Sequence, residues 1–122
     1  MATKKAMKEF QLGDLTLELK LTTQDMVAIE ARLGNRSLMS LFMDGDGAKM
    51  PSIKDCLIFL QGANQVHGVT DEKIAQAFEK FLQAGNSPID LITVISEVLQ
   101  ESGFFGKKVT QSKTNSVLQL EK

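Results

Sequence analysis

The sequence predicts a mainly α protein: a small helical bundle with an N-terminal β-hairpin or strand packed on it. Three observations carry that prediction. Leucines alternate with polar residues between positions 10 and 21, the period of an extended chain with one buried face. Apolar residues then recur at helical spacing in five later segments. Capping residues precede most of those segments, and a glycine follows most of them.

The elements follow in order. Residues 1–9 form a flexible N-terminal arm in this reading. Phe10, Leu12, Leu15, Leu17, Leu19 and Leu21 share one face, with Thr16, Glu18 and Lys20 on the other. Gly13-Asp14 between the two halves suits a two-residue hairpin turn, and one continuous strand over 15–21 is the alternative. A lone hairpin is marginal, so it must lie on helices or pair with another chain.

The first helix is expected over 23–33. Thr22 or Thr23 caps it, Met26, Val27, Ile29 and Leu33 form its stripe, and Gly34 stops it. A short helical segment, 37–43, is next. "DGDGAK" interrupts, and Pro51-Ser52 restarts the chain. The helix over 53–66 begins with a capping-box-like Ser52 and Asp55, and carries Ile53, Cys56, Leu57, Leu60, Ala63 and Val66, with Ile58 and Phe59 widening the stripe. Thr70 opens the helix over 71–84, lined by Ile74, Ala77, Phe78, Phe81 and Leu82 and ended by Gly85. Ser87, Pro88 and Asp90 open the last helix, 88–102, which Gly103 closes. The domain is thus 10–106. Residues 107–122 are a polar tail with one apolar cluster at Val117, Leu118 and Leu120, expected to be flexible or to order on a partner.

Composition narrows the function. The chain has 122 residues, one domain's worth, with 43% hydrophobic and 24% charged residues and a net charge of −1. Net charge is +1 over residues 1–20, −4 over 21–100 and +2 over 101–122, too even to advertise nucleic acid. The lysines form no stripe, and recognition motifs for nucleic acid are missing. No apolar run approaches a membrane span, and no apolar stretch follows the basic start as it would in a signal peptide. The single cysteine excludes an internal disulfide and fits a reducing cytoplasm. All seven aromatic residues are phenylalanine, which supplies apolar bulk without a polar handle.

Few residues offer reactive chemistry. "DGDG" resembles the start of a calcium loop, but counting from Asp44 places Ala48, Lys49 and Asp55 where the loop needs an oxygen ligand, glycine and glutamate. A solvated turn explains it better. His67, the only histidine, is expected to meet the last carbonyls of its helix. Cys56 lies on an apolar stripe and is expected in the core. The dispersed glycines follow helices, whereas a phosphate-binding loop precedes one. No catalytic, metal-ligating or cofactor-binding residues are assigned, and an enzyme is not expected.

What remains is apolar surface. Leu38, Met39, Phe42 and Met43 cluster in the short segment; such a face either fills a core or makes an adaptable binding surface. Phe104 and Phe105 follow a helix-ending glycine. One ring is expected to fold back on the last turn, while the other covers the hairpin or meets a partner. These six residues are the candidate partner-binding site.

The order of elements adds a resemblance. "LTLELKLT" leads into "DMVAIEARLGNRSLMSLF", then helices after "PSIKD" and "GVTDEKI", then "SPIDLITVISEVLQESGFF". This resembles the tail assembly chaperones of siphophages that infect Gram-positive bacteria, over roughly residues 10–106. The matching positions are Ile29-Glu30, Leu33-Gly34, Ser37-Leu38, Leu41-Phe42 and 102–105. The resemblance implies a non-enzymatic phage or prophage protein of the host bacterial cytoplasm. Such a protein coats the tape measure protein and keeps it soluble during tail morphogenesis, until tail tube protein displaces it. It implies a homo-oligomer, and often a second, longer form made by frameshifting. The alternative is a small helical phage regulatory or DNA-associated protein. No membrane and no nucleic-acid partner is expected under the leading reading.

Overall fold

The computed structural model describes residues 7–45 and 47–106, apart from the Asp44 side chain. It is mainly α, with an N-terminal hairpin packed on the helices, as the patterning predicts. Most of the arm and all of the tail lie outside the described residues. The hairpin, however, starts inside the expected arm: β1 is Lys8–Leu12 and β2 is Leu15–Leu19. Leu12 pairs with Leu15 and Phe10 with Leu17 across the Gly13-Asp14 turn. Lys8 Nζ meets Glu97 at 2.9 Å, and this hydrogen-bonded contact raises the lysine's pKa above its ordinary value.

Leu12, Leu17, Leu19 and Leu21 face the core, while Thr16 and Glu18 are exposed. Phe10 sits edge-on to Phe81 at 5.9 Å between ring centroids. Gly13 touches the next layer. Its φ is +61°, and a Cβ there would lie 2.4 Å from the Ala77 carbonyl oxygen. Glycine is therefore required twice, by the turn and by the close approach. Lys80 donates to Asp14 at 2.6 Å beside the turn, holding the Asp14 carboxyl below its ordinary pKa.

Four α-helices follow: α1 Thr23–Arg32, α2 Ile53–Ala63, α3 Asp71–Gln83 and α4 Pro88–Ser102. Thr22 and Asp25, and Ser87 and Asp90, form reciprocal capping boxes. Central in the bundle, α2 touches α1, α3, α4 and β2. Its Cys56, Phe59, Leu60 and Ala63 are buried. Ile29 of α1 packs directly over Gly62, where a Cβ would sit 2.4 Å from Ile29 Cγ1.

Several expectations need correction. The short helical segment expected over 37–43 is a single-turn 3-10 helix, Leu38–Leu41, and the chain then enters a miniature hairpin of β3 (Met43–Asp44) and β4 (Gly47–Ala48). Ser37 closes the 3-10 turn at both ends: its hydroxyl accepts from Ser40 N–H at 3.2 Å, and its carbonyl accepts from Ser40 Oγ at 2.6 Å. Asp44 pairs with Gly47 across the tip of the miniature hairpin. α2 ends three residues early. Asn64 turns extended and bridges to Leu19, Lys20 N–H donates to Ala63 O at 3.0 Å, and Gln65 N–H donates to Glu18 O at 2.8 Å. The open edge of β2 thus takes over the chain. His67 lies beyond the helix, exposed in a turn, and does not meet its last carbonyls. Val27, Ile53, Val66, Leu82 and Ile89, expected on buried stripes, are exposed.

Candidate functional site

The segment between α1 and α2 is held by three polar side chains. Glu30 Oε2 accepts the Leu38 backbone N–H at 2.8 Å. Arg36 Nε donates to the Leu33 carbonyl at 2.7 Å, and its Nη2 reaches both Asp55 oxygens at 3.0 Å. Asp55 is the one buried charged residue among those described. Its backbone N–H donates to Ser52 Oγ at 3.0 Å, but its carboxylate turns to Arg36 and does not complete the expected capping box. Breaking this clamp exposes a desolvated carboxylate without its partner. Arg36→Ala should lower stability by about 1.5–3 kcal/mol, read as a drop in the urea midpoint. Arg36→Lys should recover only part of the loss, because one ammonium cannot reach both Leu33 and Asp55 in the same geometry.

The clamp sorts the side chains of the segment into two sets. Leu38 and Leu41 are fully buried. Leu38 is therefore a core residue and not a partner contact, which corrects the expectation for it. Phe42 is half-buried against the core. Met39 and Met43 point outward, 40% and 47% exposed. Met50 (62%) and Ile53 (48%) follow on the way into α2, so four of the nine exposed large apolar side chains among the described residues fall within residues 39–53. Met50 and Ile53 were not among the expected site residues. A methionine after a polar loop carries no periodic signal, and Ile53 has helical spacing that equally suits a core.

Phe104 and Phe105 are less exposed than the methionines. Both rings are half-buried against the core and meet edge to face at 5.3 Å. Phe104 N–H donates to the Leu99 carbonyl at 3.2 Å, so the chain folds back over the end of α4. The second ring, which lacked an assigned place, packs against the first.

Ile53 also lines an open apolar groove of about 450 Å³. Ile53, Leu57 and Ile58 of α2 and Ile74 of α3 line it, with the Arg32–Asp71 ion pair (2.7 Å) on its rim. Its sequence signal was the excess width of the α2 stripe: Ile58 and Phe59 are adjacent, and one helix face cannot bury both fully. Phe59 is buried and Ile58 is left half-exposed.

The groove holds apolar walls and a satisfied ion pair, with no nucleophile and base within reach of each other. Among the described residues no three histidine, cysteine or acidic side chains gather closely enough to hold a metal ion. Burial pushes the Cys56 thiol up to about 11, with Asp55 nearby adding to the effect. A thiol reagent at pH 7 should leave native Cys56 unmodified over the time in which it labels the urea-unfolded chain. No described helix is long and apolar enough to cross a membrane.

No curated protein and no solved structure matches this chain. The model of DUF6096, a family of unknown function, matches residues 3–120, nearly the whole length, and the protein belongs to that family.

Proposed function

We propose that this protein is a tail assembly chaperone of a phage or prophage, which binds the tape measure protein in the host cytoplasm and keeps it soluble. The observation that carries the reading is the exposure of Met39, Met43, Met50 and Ile53 along the one segment that joins α1 to α2, the last of them also lining an apolar groove. A long apolar helix presents many similar stripes and no unique epitope. Flexible thioether side chains suit such a client, because they repack against differing contours. Copies bound along one client gain from multivalency, and self-association of the chaperone follows the same logic.

The resemblance gains a physical content from the fold. Of its matching positions, Glu30, Leu33, Ser37, Leu38 and Leu41 build the clamp and the 3-10 turn that present the methionines. They support the surface and do not form it. The alternative, a DNA-associated protein, finds no cationic helix: the charged side chains of α4 are Asp90, Glu97 and Glu101.

The test is co-expression with the tape measure protein, followed by sedimentation. The reading expects the client to stay in the supernatant with this protein and to pellet without it, and the purified protein to form larger species as its concentration rises. A client that pellets equally in both cases overturns the reading.

A further inference from the structure

The outer edge of β1 carries unpaired backbone groups. Residues of an antiparallel strand direct their N–H and C=O groups alternately toward one neighbour and the other. On β2, the Glu18 C=O accepts from Gln65 N–H at 2.8 Å and the Glu18 N–H donates to Asn64 Oδ1 at 3.2 Å. Glu18 is the residue opposite Glu9. Its backbone groups point away from β1, so those of Glu9, and of Gln11 two residues on, point away from β2. β2 thus has its outer edge covered by 63–65, and β1 does not. Among the described residues nothing bonds to the outward backbone groups of Glu9 and Gln11, and both residues are exposed.

There is room for another strand on this side. An open groove of about 550 Å³ lies between Phe10 and Gln11 of β1 and Phe81, Ala84 and Asp90 across from them. Successive strand residues point to opposite faces, so a groove that touches both Phe10 and Gln11 runs along the edge of the strand, and the other edge belongs to β2. The sequence of β1 selects what pairs there, because the edge is complementary to itself. Laid antiparallel about a two-fold axis at Phe10, Glu9 of each copy faces Gln11 of the other, and these pairs exchange the outward bonds. Phe10 faces Phe10, an aromatic cross-strand pair, and Lys8 faces Leu12, so no like charges meet. A slip that sets Glu9 against Glu9 opposes two carboxylates. The opposite slip sets Glu9 against Gly13, whose φ of +61° belongs to the turn and not to a strand.

We propose that two copies of this chain pair through β1 in the register that sets Glu9 against Gln11, joining their hairpins into one continuous sheet with both helical bodies on the same side of it. The proposal gives self-association a definite element and needs no client.

Disulfide trapping in the full chain tests the register, and it can fail while the chaperone reading stands. Glu9→Cys and Gln11→Cys variants are oxidised mildly, each alone and as a mixture, with buried Cys56 left in place and the unchanged chain as the control. Opposed residues of a bonded pair lie about 5.5 Å apart at Cα, within disulfide reach. Position 9 of one copy lies diagonally from position 9 of the other, at about 7–8 Å. The mixture should therefore yield about tenfold more covalent dimer, one copy of each variant, than either variant alone. Glu9→Pro removes an outward N–H and leaves the bonds to β2 in place, as proline on an edge strand can. It should sediment as a monomer at concentrations where the unchanged protein is a dimer. A mixture that does not cross-link, or Glu9→Cys that cross-links alone as readily as the mixture, overturns the proposal. So does an unchanged chain that stays monomeric as its concentration rises, or a folded proline variant that remains a dimer.

Discussion

Leu38→Ala should destabilise the protein by about 2–5 kcal/mol, while Met39→Ala, one residue on, should change stability by less than about 0.5 kcal/mol. Leu38 is fully enclosed and Met39 is 40% exposed. Truncating Leu38 leaves a cavity that its surroundings cannot easily close. The Glu30 carboxylate holds the Leu38 backbone at 2.8 Å, and Ser37 fixes the turn on its other side. Met39 loses contacts with water and little else. Urea unfolding of the two variants gives both numbers, and similar midpoints would mean that the 3-10 turn is not held as described.

Gly13→Ala should cost about 2–5 kcal/mol. The sum combines roughly 1–2 kcal/mol for an L-residue in the left-handed region with about 1–3 kcal/mol for overpacking. The new Cβ meets the Ala77 carbonyl at 2.4 Å, which is backbone and cannot rotate away. The hairpin would have to lift from α3, loosening the Phe10–Phe81 contact with it. Gly85 is the control. It has φ +96° and nothing within 4 Å of a built Cβ, so alanine there should cost only the conformational part. Equal losses at the two sites would show that the hairpin does not rest on α3 as closely as the structure has it.

The parts of this fold that were legible in the sequence are those set by neighbouring residues. Ser87, Pro88, Asp90 and Gly103 mark both ends of α4, and the helix runs between them as predicted. Thr22 and Thr70 cap α1 and α3, and Gly13-Asp14 turns the hairpin, for the same local reasons. The end of α2 was not legible because a distant element decides it. β2, more than 40 residues earlier, bonds to Ala63 and Gln65 and draws the chain out of the helix before His67. Asp55 looked like half of a capping box, but Arg36, 19 residues away, took its carboxylate. The candidate site was half legible. Met39 and Met43 lie outward, Leu38 turned inward, and the phenylalanine pair closed on itself. Periodicity places apolar residues on a face, but it does not say which neighbouring helix is too short or too far to cover that face.

The claim on which this account turns is that exposed Met39, Met43 and Met50 are a working surface and not packing. Replacing Met39, Met43 and Met50 together with serine and measuring how much tape measure protein stays soluble on co-expression tests it most directly. The account predicts an unfolding midpoint close to that of the unchanged protein and a client that falls into the pellet. A triple variant that is stably folded and holds the client in solution as well as the unchanged protein would contradict it.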